Sequence, residues 1–456
     1  MRMTYENLEN EKVWAKAQWS GVELGDVRRT ARAIKVGAKL AAMPSGSLPQ
    51  QQGSWGDVKA AYRLLNEADV QFEALNQGHW QGSLEAAKSQ AGVVLFIQDG
   101  SELNYSNHKA TTGLGYIGSG KSQGFQLHSC LAVKATSEEI LGLAQQQVWV
   151  RESLVRDRQA KGEKIVRTEG EVWAKTLEAI GAVPEAMQQR WVSVGDRNSD
   201  IFSYIQRAKA LSWECLLRVS KDRHVSLDGK KTKLLQGLRS LEVQTTTTLT
   251  KRGYQGQTKR DIKLNVAWSA ITILSPIREQ TSESIEGYCI RVWEDKDVPD
   301  AIEWLLFTTL PITSNEQALL YVHWYSLRWL IEEYHKALKT GCAIEQRQLT
   351  SAHALKNLLA FLAIVAVRLL QLRCLARSQS SQLASVHADP TMLQLVAAKF
   401  KLNPTTMTLK TFWHSVARFG GFLARKSDGD PGWQTLWKGY LRLQDMAWAI
   451  STQGTS

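Results

Sequence analysis

Val93-Val94-Leu95-Phe96-Ile97-Gln98-Asp99 sets five apolar residues in a row before an acid. A strand that is apolar on both faces belongs in the middle of a covered sheet, because neither of its faces then meets water. Working outward from it, 124–134, 140–150, 191–195, 212–219 and 304–309 read as further strands, and Thr168–Ile180 reads as a helix. The order strand, strand, strand, helix, strand, helix, strand suits an α/β fold, a mixed sheet with helices packed on it.

Asp99 is expected to end the first strand, and Asp196 ends the strand 191–195. Carboxylates at strand ends are rigidly placed, which a metal site requires. An acid in that position also commonly bonds its own turn, so neither is diagnostic alone. A third element is the helix expected over 315–340. With Tyr325 as zero and about 100° per residue, Arg328 falls near about −60°, Glu332 near about −20°, Lys339 near about −40° and Lys336 near about +20°. His335 lies near about −80°, and Glu333, near about +80°, is off the stripe. An ion-paired surface helix would explain Arg328 and Glu332, which are four apart. It explains neither the tyrosine nor the full alignment.

The surrounding composition narrows the function. In 456 residues, 56 Lys and Arg face 44 Asp and Glu, a net charge of +12, with 43% hydrophobic residues. That excludes wholesale disorder and favours a polyanionic partner such as nucleic acid. Seventeen tryptophans supply aromatic faces on which bases can stack. The five cysteines form no C-x-x-C pair and none has a histidine at ligand spacing, so neither disulfides nor zinc are expected, and the compartment reads as reducing. The longest apolar run, 358–367, is ten residues, short of the roughly 20 that a bilayer needs. Residues 1–19 hold no apolar stretch of the signal-peptide kind. No membrane residence is expected, and the location reads as cytoplasmic.

Three regions differ in texture. Residues 1–75 read as a helical domain, with Arg28, Arg29, Arg32, Lys35 and Lys39 on one basic helix and a break marked by Pro44, Gly46, Pro49 and Gly53. Residues 76–350 carry the sheet. Within them 221–270 hold 11 basic and 4 acidic residues, a local charge of +7, and read with the turn-rich 252–256 as a β-rich insertion over about 221–303. Ser314 with Gln317 reads as a capping box and Gly341 as a helix stop. Residues 351–456 carry 12 basic and 4 acidic residues, a charge of +8, and read as mainly helical. The stretch 115–122 matches the phosphate-loop pattern G-x-x-x-x-G-K-S. That pattern cradles a nucleotide only between a buried strand and a helix. Here polar residues precede it and an alternating strand pattern follows, so a basic hairpin loop is expected and no nucleotide cofactor.

Tyr325-x-x-Arg328-x-x-x-Glu332-x-x-x-x-x-x-Lys339 resembles the Tyr–Arg–Glu–Lys signature of bacterial transposases of the insertion-sequence-four family. Leu24-Gly-Asp-Val-Arg-Arg-Thr-Ala-Arg32, Asp196-Arg-Asn-Ser-Asp200, Trp304-Leu-Leu and Arg418-Phe-Gly-Gly-Phe422 are similar to it in order and at matching separations, nearly end to end. One departure is Ala42-Met43, where a relative carries a Lys-Tyr pair used in reading DNA ends.

The resemblance implies a ribonuclease-H-like catalytic core with a β-rich insertion, a helical N-terminal domain that recognises transposon ends and a helical C-terminal dimerisation region. It implies Asp99, Asp196 and Glu332 as the catalytic and metal-holding triad, with two Mg²⁺ per site and Mn²⁺ as substitute. Tyr325, Arg328 and Lys339 would hold phosphates, Trp304 would stack on an extruded base, and Arg32 and Arg63 would read the ends. The partners implied are double-stranded DNA, as transposon ends and as target, and a second copy of the chain in a synaptic homodimer. The activity implied is cut-and-paste transposition through a hairpin intermediate. Its rivals are a catalytically inactive DNA-binding inhibitor and a metal-dependent nuclease without strand transfer.

Overall fold

The computed structural model describes residues 10–151, 168–184, 189–251, 260–276, 283–295, 301–378, 381–386, 388–425 and 428–453. Five helices open the described chain: α1 (Glu11–Trp19), α2 (Val27–Ala42), α3 (Leu48–Gln52), α4 (Trp55–Asn66) and α5 (Phe72–Lys88). Asn10, Asp26 and Ser54 cap α1, α2 and α4 by accepting from backbone N–H groups of the first turn. The short α3 forms inside the stretch that sequence marks as a break. Pro49 is harmless there because it sits in the first turn, whose N–H groups have no partner within the helix. Helix α2 crosses α1 closely, since a Cβ at Gly37 would lie 2.1 Å from the Trp19 ring. Helix α5 runs across residue 75 and packs on the central sheet.

That sheet begins with β1 (Val93–Asn104), β2 (Gly115–Tyr116), β3 (Gln123–Lys134) and β4 (Glu139–Trp149), followed by α6 (Thr168–Ile180), β5 (Arg190–Gly195), α7 (Phe202–Ala210) and β6 (Glu214–Arg218). β3 runs antiparallel to β1 and β4, whereas β1, β5 and β6 are parallel. This mixed sheet flanked by helices is the ribonuclease-H-like core. β1 is longer than its apolar run, because β3 offers an antiparallel partner along nearly its whole length. Asp99 therefore lies inside the strand, opposite Ser129, and not at its end. The stretch 115–122 is a hairpin between β2 and β3, as expected, with no helix behind it.

Alternation along the strands sends side chains into two cores. Leu95 and Ile97 join Val192, Val194 and Leu216 in the larger one, which also takes up the helices of both ends of the chain. Val94 and Phe96 join Trp191, Cys215 and Leu217 in the smaller one, under α6 and α7.

The sheet continues through β7 (His224–Leu227), β8 (Lys230–Lys233), helix α8 (Leu234–Arg239), β9 (Thr245–Lys251), β10 (Arg260–Ile273), β11 (Ile285–Trp293) and β12 (Glu303–Thr308). β12 pairs with β6, and the β-rich segment then extends the same sheet as β12-β11-β10-β7-β8, with β9 also on β10. The turn at 252–256 lies outside the described residues. Asp200 anchors the start of this segment: it accepts from the Ser220 and Lys221 amides at 2.7 and 2.9 Å and pairs with Arg223.

Helices α9 (Asn315–Ser326), α10 (Trp329–Lys336), α11 (Ala352–Ser378), α12 (Pro390–Phe400), α13 (Leu409–Phe419) and α14 (Trp433–Gln453) complete the described chain. Within α11, Ala352–Leu372 has the length and mean hydropathy, 1.8, of a membrane-crossing helix, but 94% of its most apolar window is buried in the protein. It is the central core helix. The ten-residue run underestimates it because Arg368 interrupts the sequence. That guanidinium is fully buried and donates to Ala41 O and Glu11 Oε1, both at 3.1 Å, tying α11 to the N-terminal helices. Among the described residues the five cysteines form no disulfide, and four are buried.

Candidate active site

The parity that sorts the two cores also selects the site. Asp99 follows Leu95 and Ile97 on β1, and Asp196 follows Val192 and Val194 on β5, so both acids leave the sheet on the larger-core face. Helix α10 packs on that face through Leu330, Ile331 and Tyr334. Two polar contacts fix its position. His335 Nε2 lies 3.2 Å from Ser129 Oγ, directly across from Asp99, and Tyr334 OH accepts from Gln146 Nε2 at 2.8 Å. His335 is thus a core residue, and burial pushes its imidazole down to about 3.

The helix expected over 315–340 is not uniform. Between α9 and α10 the backbone tightens to three-residue hydrogen bonds: Arg328 N–H to Tyr325 O, Leu330 N–H to Leu327 O and Ile331 N–H to Arg328 O, at 3.0, 2.9 and 3.1 Å. After α10 it widens into a π turn, Ala337–Gly341, where Cys342 N–H reaches Ala337 O at 2.8 Å. These changes of winding rotate Tyr325, Glu332 and Lys339 relative to the stripe that a regular helix gives. The left-handed residue that ends the element is Ala343, not Gly341. The capping box is shifted by one residue, since Ser314 Oγ accepts from Gln317 N–H but Gln317 Oε1 accepts from Thr313 N–H.

The tightened turn aims Arg328 at the acids. Its Nη1 lies 3.0 Å from Asp99 Oδ2, and its Nη2 pairs with Glu332 Oε1. Asp99 also accepts from Gly100 N–H at 2.8 Å. Burial and the nearby charge of Asp196 push the Asp99 carboxyl up to about 6, against the pull of Arg328, while Glu332 adds to the rise. Asp196 accepts from both nitrogens of Asn198, at 2.9 and 3.0 Å, so it is held by its own turn and still faces the cluster. Burial raises the Tyr325 phenol, and Arg328 and Arg218 oppose that rise. Trp304, half-buried on β12, meets Tyr325 edge-on with ring centroids 5.7 Å apart. Lys339 is half-buried on the π turn. Arg32 and Arg63 lie apart from this cluster, on α2 and α4 of the N-terminal domain.

Two features escaped the sequence reading. Arg218 ends β6 two residues after Leu216, on the same face as Asp99 and Asp196, and contacts the Tyr325 phenol. That parity was the available signal. On the opposite face a buried network supports the site: Gln98 donates to Ser193 Oγ and Tyr204 OH at 2.9 and 3.2 Å, and its Oε1 lies 3.0 Å from His128 Nε2. Nothing in one sequence marks those residues as neighbours.

Among the described residues, no three acids, histidines or cysteines are gathered around a point ready to hold an ion. The donor set nonetheless suits hard divalent cations, being carboxylate oxygen throughout. Asp99 and Glu332 already share one positive group, the Arg328 guanidinium.

Two family models match the chain. One described as Transposase DNA-binding matches residues 11–70, and one described as Transposase DDE domain matches residues 126–368. The first covers α1–α4, and the second runs from β3 into α11, so it includes Asp196 and Glu332 and begins beyond Asp99.

Proposed function

This chain belongs to the DDE transposases, DNA-binding enzymes that cut nucleic acid and transfer its strands, generally with divalent metal ions, and from that premise we propose a cut-and-paste transposase of the insertion-sequence-four kind. The observation that carries the reading is that Asp99, inside β1, and Asp196, just past the end of the parallel β5, leave the sheet on one face, where Arg328 pairs with both Asp99 and Glu332.

In this reading Asp99, Asp196 and Glu332 hold Mg²⁺ or Mn²⁺, whose chemistry when bound is to stabilise the entering and leaving oxygens of an in-line attack on phosphorus. Arg328, Tyr325 and Lys339 bind the phosphates that flank the scissile bond, and Arg218 adds a further cation beside Tyr325. Arg32 and Arg63 read the terminal inverted repeats. A water cuts one strand and frees a 3′-OH. That hydroxyl attacks a phosphate of the opposite strand, expelling the 3′-OH of the flanking DNA and leaving a hairpin; a second water hydrolyses the hairpin and restores the 3′-OH, which then attacks a target phosphate and expels a target 3′-OH. Trp304 stabilises the sharply bent DNA by stacking on an extruded base. One copy of the chain at each end gives a synaptic homodimer.

The test is a supercoiled plasmid carrying the inverted repeats that flank the gene, incubated with and without Mg²⁺. Nicks, then hairpin ends, then joined products, all only with Mg²⁺, are expected. Bound but uncut plasmid would make the chain an inactive binder. Cleavage without joining would make it a nuclease.

A further inference from the structure

Arg32, Lys35 and Lys39 stand three and four residues apart on α2 and so share one face. All three converge on a single carboxylate, that of Asp57 in the first turn of α4. Arg32 Nη1 and Lys35 Nζ lie 2.9 and 2.7 Å from Oδ1, and Lys39 Nζ lies 3.0 Å from Oδ2. Lys39 also donates to Gln52 O, at the end of α3. The acid side chain is 17% exposed, whereas those of Arg32, Lys35 and Lys39 are 32%, 50% and 27% exposed. The carboxylate lies beneath, and the cations form the surface. Hydrogen bonds from Lys35, Lys39 and Arg32 hold the Asp57 carboxyl far below the usual carboxylate range, so it stays ionised at any working pH. The same turn of α4 exposes Trp55, with Lys59 Nζ 5.3 Å from its ring centroid.

We infer that Asp57 is a positioning residue that sets DNA specificity, by fixing Arg32, Lys35 and Lys39 in one arrangement and withholding one of their three charges from arbitrary DNA. The inference rests on the reading that this domain recognises transposon ends. Affinity for random duplex comes from phosphate neutralisation, whereas discrimination comes from contacts to base edges. Three cations on one helix face with no acid would grip any backbone. With Asp57 in place, each phosphate must compete with a carboxylate already in contact with the same nitrogen. A duplex that offers a base edge to Arg32 recovers that loss, because a guanidinium in fixed orientation forms a bidentate pair with guanine. Asp57 therefore weakens binding to random DNA more than binding to the cognate end.

The experiment compares the full-length protein with Asp57→Asn and Asp57→Glu. The probes are a duplex of the inverted repeat flanking the gene and a shuffled duplex of equal length and composition, each titrated over a range of salt. Asp57→Asn is expected to bind shuffled DNA about fivefold to tenfold more tightly, with a salt slope steeper by about one charge. Its preference for the repeat should fall by a similar factor, and Asp57→Glu should restore much of it. A thermal melt accompanies each variant. Equal weakening on both probes, or an unchanged preference with an unchanged slope, would overturn the inference while leaving end recognition intact. Absence of any preference in the unaltered protein would overturn end recognition itself and the inference with it.

Discussion

Arg328 joins Asp99 on β1 to Glu332 on α10 through two nitrogens of one guanidinium, the first contact at 3.0 Å. A planar group with five donors in a fixed fork can hold two carboxylates at once in a set geometry, which the single rotating ammonium of a lysine does not impose. The contact requires the three-residue hydrogen bonds at 325–331, which turn residue 328 toward the sheet. Burial lowers the tendency of Arg328 to stay charged, but Glu332, Tyr325 and Asp99 outweigh it and raise its basicity. The structure thus holds its acids around an arginine, and DNA phosphates are the natural competitors for that arginine.

The first prediction concerns charge buried at Asp99. Its folded value of about 6 exceeds the ordinary carboxylate range, so folding disfavours its ionised form. The cost is absent below about pH 4, grows between about pH 4 and pH 6, and is complete above that. Asp99→Asn should therefore abolish cleavage and yet stabilise the metal-free protein at pH 7.5. Two tenfold steps are worth at most roughly 3 kcal/mol, and loss of the charged contact with Arg328 offsets part of that, so the expected gain is about 1–2 kcal/mol. The gain should vanish near pH 4. Denaturant melts at both pH values check it, and a destabilised variant at pH 7.5 would contradict the account.

A second prediction separates two adjacent glutamates. Glu332→Ala, like Asp99→Ala and Asp196→Ala, should eliminate cleavage and leave DNA-end binding measurable, because each removes a proposed metal ligand and few DNA contacts. Glu333→Ala should be far milder, since the glutamate seen paired with Arg328 is Glu332 and Glu333 stands off the stripe that carries the signature. Gel-shift and cleavage assays on the same preparations decide it. An active Glu332→Ala beside an inactive Glu333→Ala would reverse the assignment.

β1 and β5 were legible because each carries an apolar run facing both cores, and Asp196 follows the second of these runs directly. The extent of β1 was not, because its second half is polar and owes its pairing to β3, which only the tertiary fold supplies. Asp99 stands in the sequence as the first acid after the apolar run, which assigns it to β1 but does not place it inside the strand. The signature helix was legible in composition but not in winding: the tightened turn and the π turn flank the stretch where Tyr334 and His335 dock against Gln146 and Ser129, partners that only the tertiary fold supplies. The Asp57 clamp was invisible for a similar reason. Basic residues on α2 read as a face open to DNA, and the acid that binds them comes from another helix.

The N-terminal arginines yield a third prediction. Arg63 is exposed on α4, and Arg32 is held by Asp57. Arg32→Ala and Arg63→Ala should each weaken binding to the inverted repeat by about 1–3 kcal/mol, more than binding to shuffled DNA. Equal losses on both duplexes would reduce the residue concerned to a phosphate contact.

Trp304 carries the last prediction. It sits on β12, half-buried, edge-on to Tyr325 and beside the larger core. If it stacks on an extruded base, Trp304→Ala should spare first-strand nicking, which needs only the acids, their cations and a water. It should impair the hairpin step, which needs bent DNA held open. Stacking worth roughly 1–3 kcal/mol translates into about tenfold to a hundredfold slower hairpin formation. A purely structural tryptophan behaves otherwise: truncation would cost up to about 3–5 kcal/mol of stability, and end binding, nicking and hairpin formation would decline together. The edge-on contact with Tyr325 makes part of that stability loss expected in either case, so the ratio of hairpin to nicked product decides, not the melt alone. Trp304→Phe supplies the control, since it keeps an aromatic face for a base and should recover most of the ratio. A time course that resolves nicked from hairpin DNA, with both variants at temperatures below their melts, distinguishes the two roles. An unchanged ratio in Trp304→Ala would remove the stacking role.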